Sequence, residues 1–261
     1  MILSISTQLD YALAGPTDVL LQIEAAAMPD QRILSANIIL PAATGFARIP
    51  AEEGVGDRVW LSMHGRMQCS YEASVEITRR AEDLTTLRRV PPHQLPAYTI
   101  RYLMASRFCP SDEFQSFVAA EFGQLGGGAA IAAMRDWIED RFTYVPGASH
   151  ARTTALDTFV QRKGVCRDFA HVLITLARAA AIPARIVSVY APALEPQDFH
   201  AVAEVWLEGA EAGWHLVDPT GMADPTEMAR IAVGRDAADV AFMTSYGQAD
   251  LMFQSVNVQR G

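Results

Sequence analysis

The chain has 261 residues, half of them hydrophobic and a fifth charged, with a net charge of −9. A chain of this length buries a substantial core without staples, and its acidic balance excludes a general nucleic-acid or anionic-membrane binder. Three cysteines, Cys69, Cys109 and Cys166, lie far apart and form neither a disulfide framework nor a zinc-type pair. They point to a reducing cytoplasm, and no signal peptide or apolar run of transmembrane length contradicts this.

Residues 1 to about 90 read as β structure. Val19–Glu24, Ile33–Leu40 and Val59–Met63 are short apolar or alternating runs, and Gly15-Pro16 and Pro29-Asp30 act as turn signals between them. Tyr71–Ile77 alternates apolar and polar residues as a half-solvated strand does. Strands at this spacing predict a small β-sandwich or barrel-like unit. Arg88–Pro96 then carries three prolines within six residues, which disfavours helix and central strand alike. The domain boundary is placed here, giving an N-terminal β domain over 1–92 and a second domain over 93–261.

Beyond the boundary the period becomes helical. Ser111 is a candidate cap for a helix through Phe114 and Phe117, with Asp112 and Glu113 suited to its dipole. The glycines at 126–128 lead into Ile131, Met134, Ile138 and Phe142 at helical spacing. Thr154 and Asp157 form a capping-box pattern for a short helix ending near Gly164. A further helix follows Cys166, with Phe169, Leu173, Leu176, Ala177 and Ala180 on its buried face, and Pro183 ends it. Strands are predicted at Arg185–Tyr190, His200–Leu207 and Trp214–Asp218, with a late strand at Leu251–Val258. Helices followed by an antiparallel sheet describe an α+β domain.

Cys166 sits where a loop becomes a helix. Unpaired N–H groups and the positive end of the helix dipole favour a thiolate there, and the thiolate is the nucleophile. A cysteine nucleophile needs a base, and the base needs an orienting group. His171 follows five residues along the helix, turned about 140° away, which makes it a structural histidine. His200 opens one predicted strand and Asp218 closes the next, with Glu208–Gly213 as the hairpin loop. A register that sets 200 opposite 218 makes them direct neighbours, and one that sets 200 opposite 220 makes them diagonal neighbours. An odd register puts them on opposite faces. The candidate constellation is Cys166 as nucleophile, His200 as base and acid, and Asp218 as orienter. The Cys166 N–H is a natural oxyanion donor, and the second donor is left open.

Gly164–His171 and Arg178–Arg185, followed by Phe199–Trp206 and Trp214–Thr220, closely resemble the cysteine, histidine and aspartate blocks of bacterial transglutaminase-like proteins, in order and approximate spacing. The resemblance implies a papain-like thiol fold behind a strand-rich leading domain. It also implies the triad Cys166, His200 and Asp218, and a core role for Val233–Ala237. It implies no cofactor or metal.

The expected activity is amide-bond hydrolysis or acyl transfer on a protein or peptide substrate, with neither nucleic acid nor membrane as partner. Two alternatives share the fold: an arylamine acetyltransferase-like enzyme, for which no coenzyme A site is evident, and a non-enzymatic binding module. Asp168 is read as a helix cap, Arg167 as solvated or paired with an acid, and Trp206 and Trp214 as sheet packing.

Overall fold

Along Ile2–Leu21 buried and exposed side chains largely alternate, and this run forms one long strand, β1. The computed structural model describes residues 1–208 and 212–261. Strands β2 (Gln31–Ile39), β3 (Gly45–Pro50) and β4 (Asp57–Ile77) follow. The expected turn at Gly15-Pro16 does not interrupt β1. The β1–β4 register shifts between Leu13 and Thr17, so the irregularity that a proline demands is absorbed as a bulge rather than a chain reversal. The runs expected as separate strands at Val59–Met63 and Tyr71–Ile77 are likewise two ends of β4. The turn at Pro29-Asp30 is real, closed by paired main-chain bonds between Met28 and Gln31 of 2.9 and 3.0 Å.

The second half supplies α1 (Gln115–Phe122), α2 (Gly127–Arg141), β5 (Thr143–Tyr144), α3 (Ala155–Gln161), β6 (Lys163–Gly164) and α4 (Cys166–Ala179). It continues with β7 (Ala184–Tyr190), β8 (His200–Glu208), β9 (Ala212–Val217), β10 (Ala229–Gly234), α5 (Ala237–Val240), β11 (Met243–Ser245) and β12 (Ala249–Arg260). Ser111 does not cap α1. It lies inside a 3-10 turn over Ser111–Phe114, with its side chain buried and no cap bond. The Thr154–Asp157 capping box is formed, with the Thr154 N–H bonded to Asp157 Oδ2 at 2.9 Å. Gly128 is required where it stands, because a Cβ there would lie 1.7 Å from the Leu84 carbonyl oxygen.

Two antiparallel sheets result. One has six strands, with β1 and β4 at its centre, β11 and β12 beside β1, and β2 and β3 beside β4. The other runs β10-β7-β8-β9. A boundary at residue 92 therefore does not separate the sheets, since the late strand expected in the second domain pairs with the first from Leu3↔Arg260 to Leu13↔Ala249. One apolar core runs through both regions, from Leu3 and Val75 to Leu173 and Val205. α4 is enclosed on every side, with each residue from Asp168 to Arg178 buried. Arg178 is tolerated there because Nε donates to Ala184 O at 2.9 Å and Nη1 to Met104 O at 3.1 Å.

A buried chain of charges ties the two sheets. Glu204 is fully buried and accepts from Arg185 Nε at 2.7 Å and Arg230 Nε at 2.5 Å. Arg185 reaches Glu53 at 2.7 Å, and Arg230 reaches Asp30 at 2.8 Å. Burial alone would raise the Glu204 pKa, but the two guanidinium groups outweigh it and hold the carboxyl below its usual range.

Candidate active site

Cys166 is the first residue of α4 and is half-buried. The helix start is fixed by Asp168, whose Oδ2 accepts the Val165 N–H at 2.9 Å. Arg167 Nη2 bonds Asp168 Oδ1 at 2.9 Å and Ser149 Oγ at 3.0 Å, pinning the preceding loop to the helix. Gly164 has no room for a side chain, since a Cβ would stand 2.7 Å from that of Asp168. The capping role read for Asp168 and the acid pairing read for Arg167 are both present. The other two thiols are buried, and burial pushes Cys69 up to about 11 and Cys109 up to about 12.

His200 and Asp218 are brought together by the β8–β9 pairing. The register runs from Ala203↔Val217 to Glu208↔Ala212. Extended by three residues it sets 200 opposite 220, so Asp218 is the diagonal neighbour. His200 Nε2 lies 2.9 Å from Asp218 Oδ2. The loop tip between these strands, 209–211, falls outside the described residues.

The Asp218 carboxylate is firmly held. Oδ1 accepts the Thr220 N–H at 2.9 Å and its hydroxyl at 2.7 Å, and Oδ2 accepts the Ala223 N–H at 3.0 Å. Burial works against its charge, but these bonds and His200 keep its pKa below the usual carboxylate range. Burial also works against imidazolium at His200. Hydrogen bonding to Asp218 and to the Cys166 thiol outweighs it and raises the His200 pKa to about 10. With Nε2 taken by Asp218, Nδ1 is the ring nitrogen left for the thiol.

Tyr144 is a site residue that sequence reasoning did not single out. Its phenol lies beside Cys166. Burial first, and the neighbouring thiol second, push its pKa up to about 12. A parallel bridge positions it: Tyr144 pairs with Gly164, and Val145 N donates to Gly164 O at 2.9 Å. A two-residue strand has no periodicity to read, so nothing in the local sequence marks this tyrosine.

His171 stands apart from the site, as its helix phase predicts. It is fully buried, stacks on Phe108 at 5.3 Å and accepts the Ala237 N–H on Nε2 at 3.1 Å. Burial lowers its pKa to about 3. Val233–Ala237 joins the core in part: Val233 is buried and Asp236 accepts the N–H of Phe108 at 3.2 Å and of Ala238 at 3.1 Å, while Arg235 is exposed. Trp206 and Trp214 pack edge to face at 5.3 Å, with Arg185 4.1 Å over the Trp214 ring. Among the described residues, no cluster of three or more His, Cys, Asp or Glu side chains is arranged to hold a metal ion.

Comparison with known proteins agrees with this fold. The model of the transglutaminase-like superfamily matches residues 117–219. A crystal structure of a provisionally named cysteine protease from Cytophaga hutchinsonii is 32% identical, with a TM-score of 0.93, over 99% of this chain and 90% of that one. The uncharacterized protein ML0607 of Mycobacterium leprae is 35% identical over 118 residues, which are 43% of this chain and 42% of that protein. The periplasmic domain of TgpA from Pseudomonas aeruginosa is 20% identical with a TM-score of 0.44, over 84% of this chain and 78% of that one. Cys166, His200 and Asp218 lie within the matched region, and the chain belongs to the transglutaminase-like superfamily.

Proposed function

We propose that the protein is a cysteine-dependent amide-bond hydrolase, a peptidase or amidase, acting through a thioester acyl-enzyme. The observation that carries this reading is the buried Asp218–His200 pair at 2.9 Å, beside a Cys166 thiol at a helix start that helps raise the His200 pKa. His200, raised to about 10, holds the thiol's proton as imidazolium beside the thiolate, and the Cys166 sulfur attacks the amide carbonyl carbon. The carbonyl oxygen becomes an oxyanion for which the Cys166 N–H and the Tyr144 hydroxyl are the donors at hand. Collapse breaks the C–N bond, and the imidazolium returns its proton to the departing amine. His200 then deprotonates a water, which cleaves the thioester and frees the acid and the thiol. An amine in place of water would give acyl transfer with the same groups. Hydrolysis is favoured because water is always present and no feature of the sequence marks an amine site.

The test compares wild type with Cys166→Ala, using a broad thiol-directed acyl probe and mass spectrometry of the adduct. The expected adduct sits on Cys166 and disappears in the variant. Labelling that survives the substitution removes Cys166 as nucleophile, and a folded wild type that never labels removes the enzymatic reading.

A further inference from the structure

Among the described residues, strand β9 is the outer strand of its sheet and has β8 on one side only. A groove of about 710 Å³ runs along its other edge, lined by Trp214–Val217 and walled by residues from 79–87, 221–226 and α2. The hydrogen bonds of β8 show which β9 groups turn toward it. Trp206 donates its N–H to Pro183 O at 2.8 Å, and Glu208 exchanges bonds with Arg88 of 2.8 and 2.9 Å. Both residues therefore point their main-chain groups away from β9. In an antiparallel pair the residue facing such a position also points its N–H and C=O outward. Trp206 faces Trp214 and Glu204 faces Leu216. The main-chain groups of Trp214 and Leu216 thus point into the groove, and no turn, loop or side chain among the described residues bonds them.

Three side chains add matching groups. Arg79 Nη2, Asp30 Oδ1 and His215 Nε2 are buried without a partner among the described residues, and all three residues line the groove. Arg79 and Asp30 are clasped through Nε and Oδ2 at 2.7 Å. That clasp leaves Arg79 Nη2 as a donor and Asp30 Oδ1 as an acceptor, each without a partner among the described residues. His215 is held from behind by Glu82 at 2.8 Å. Outer strands are normally blunted by lysine, proline or a bulge, and Trp214-His215-Leu216-Val217 has none of these.

We propose that this groove binds an extended polypeptide segment, which adds to β9 as a further strand. Trp214 and Leu216 bond its main chain, and Arg79 and Asp30 bond a neighbouring peptide unit. Recognition is of backbone rather than net charge, since side chains of both signs line the groove. Cys166 and His200 are not among the lining residues, while Asp218 closes one end. Binding therefore requires no turnover, and the proposal stands or falls apart from the thiol chemistry.

The test uses the full chain carrying Cys166→Ala, so that no probe is consumed. The probe is the capped pentapeptide acetyl-Thr-Val-Gln-Val-Thr-amide, beside a counterpart N-methylated at its three central residues. Amide hydrogen exchange is followed by NMR. Exchange at Trp214 and Leu216 is expected to slow severalfold with the first peptide at millimolar concentration and not with the second. Ala81→Trp, which fills the groove from an exposed loop position, is expected to abolish the protection. Unchanged exchange at Trp214 and Leu216, equal protection by the N-methylated peptide, or protection that survives Ala81→Trp each overturns the proposal.

Discussion

The charge state of His200 is where the site is most open to direct measurement, without knowledge of a substrate. An ordinary histidine titrates near 6.5, whereas His200 is raised to about 10 in spite of its burial. At about 1.4 kcal/mol per pKa unit, the buried site favours imidazolium by on the order of 5 kcal/mol. Asp218 supplies the first of the raising contributions, through its bond to Nε2. Asp218→Asn keeps the shape but removes the charge, leaving burial to act against imidazolium. The His200 titration is then expected to fall by more than one unit. The assay is the pH dependence of the imidazole nitrogen signals in two-dimensional NMR. Stability moves with the same equilibrium. Because the folded pKa lies above the unfolded one, the contribution is complete below about 6.5 and is lost as pH rises toward 10. Asp218→Asn should therefore narrow the gap between unfolding free energies at neutral and alkaline pH. A wild-type His200 that titrates near 6.5, or an Asp218→Asn variant that titrates where wild type does, would refute the electrostatic reasoning.

Tyr144→Phe removes a hydroxyl from beside the thiol; turnover of any substrate found for wild type is expected to fall by about 10²–10³ with an unchanged circular dichroism spectrum, and unaltered kinetics would exclude an oxyanion role. Glu204→Ala removes the carboxylate that two buried guanidinium groups share, leaving Arg185 only Glu53 and Arg230 only Asp30, and is expected to cost about 3–5 kcal/mol in urea unfolding. The depressed Glu204 pKa also means that its contribution is present above the unfolded carboxyl value and is lost as pH falls through the folded one; a wild-type-like acid transition in the variant would contradict this. Gly164→Ala brings a methyl group against Asp168, so the helix start should shift and acylation of Cys166 should slow, as read by mass spectrometry; undiminished labelling would show that the cap is not needed.

What the sequence disclosed follows the range of the interactions involved. The Thr154–Asp157 box and the Asp168 cap span three residues and were legible. The shared side of His200 and Asp218 was legible as one of only two parities a hairpin register allows, and the β8–β9 pairing selects it. Gly15-Pro16 misled because a turn signal and a bulge signal use the same residues, and only the partner strand β4 decides between them. Tyr144 stayed hidden because its position depends on a two-residue bridge to Gly164, and no period exists over so short a span. The Arg185–Glu204–Arg230 cluster was invisible for another reason. Charged residues in a strand read as its solvated face, and only the distant turns that bring Glu53 and Asp30 onto it turn that face inward.

The pairing of β12 with β1 has a consequence for how the molecule is made. Leu3, Ile5 and Leu9 lie against residues 254–260, which leave the ribosome only after the whole thiol-bearing region. β1 must wait, one edge open, until β12 has been made. Its β4 neighbour is available early, but the row opposite Val256 and Val258 is not. Such a chain holds an unsatisfied strand edge for most of its synthesis, which is when a chaperone or a second nascent copy would find it. Cutting the chain after residue 248 should recreate that state permanently, with an intact Cys166–His200–Asp218 region and an aggregating first sheet.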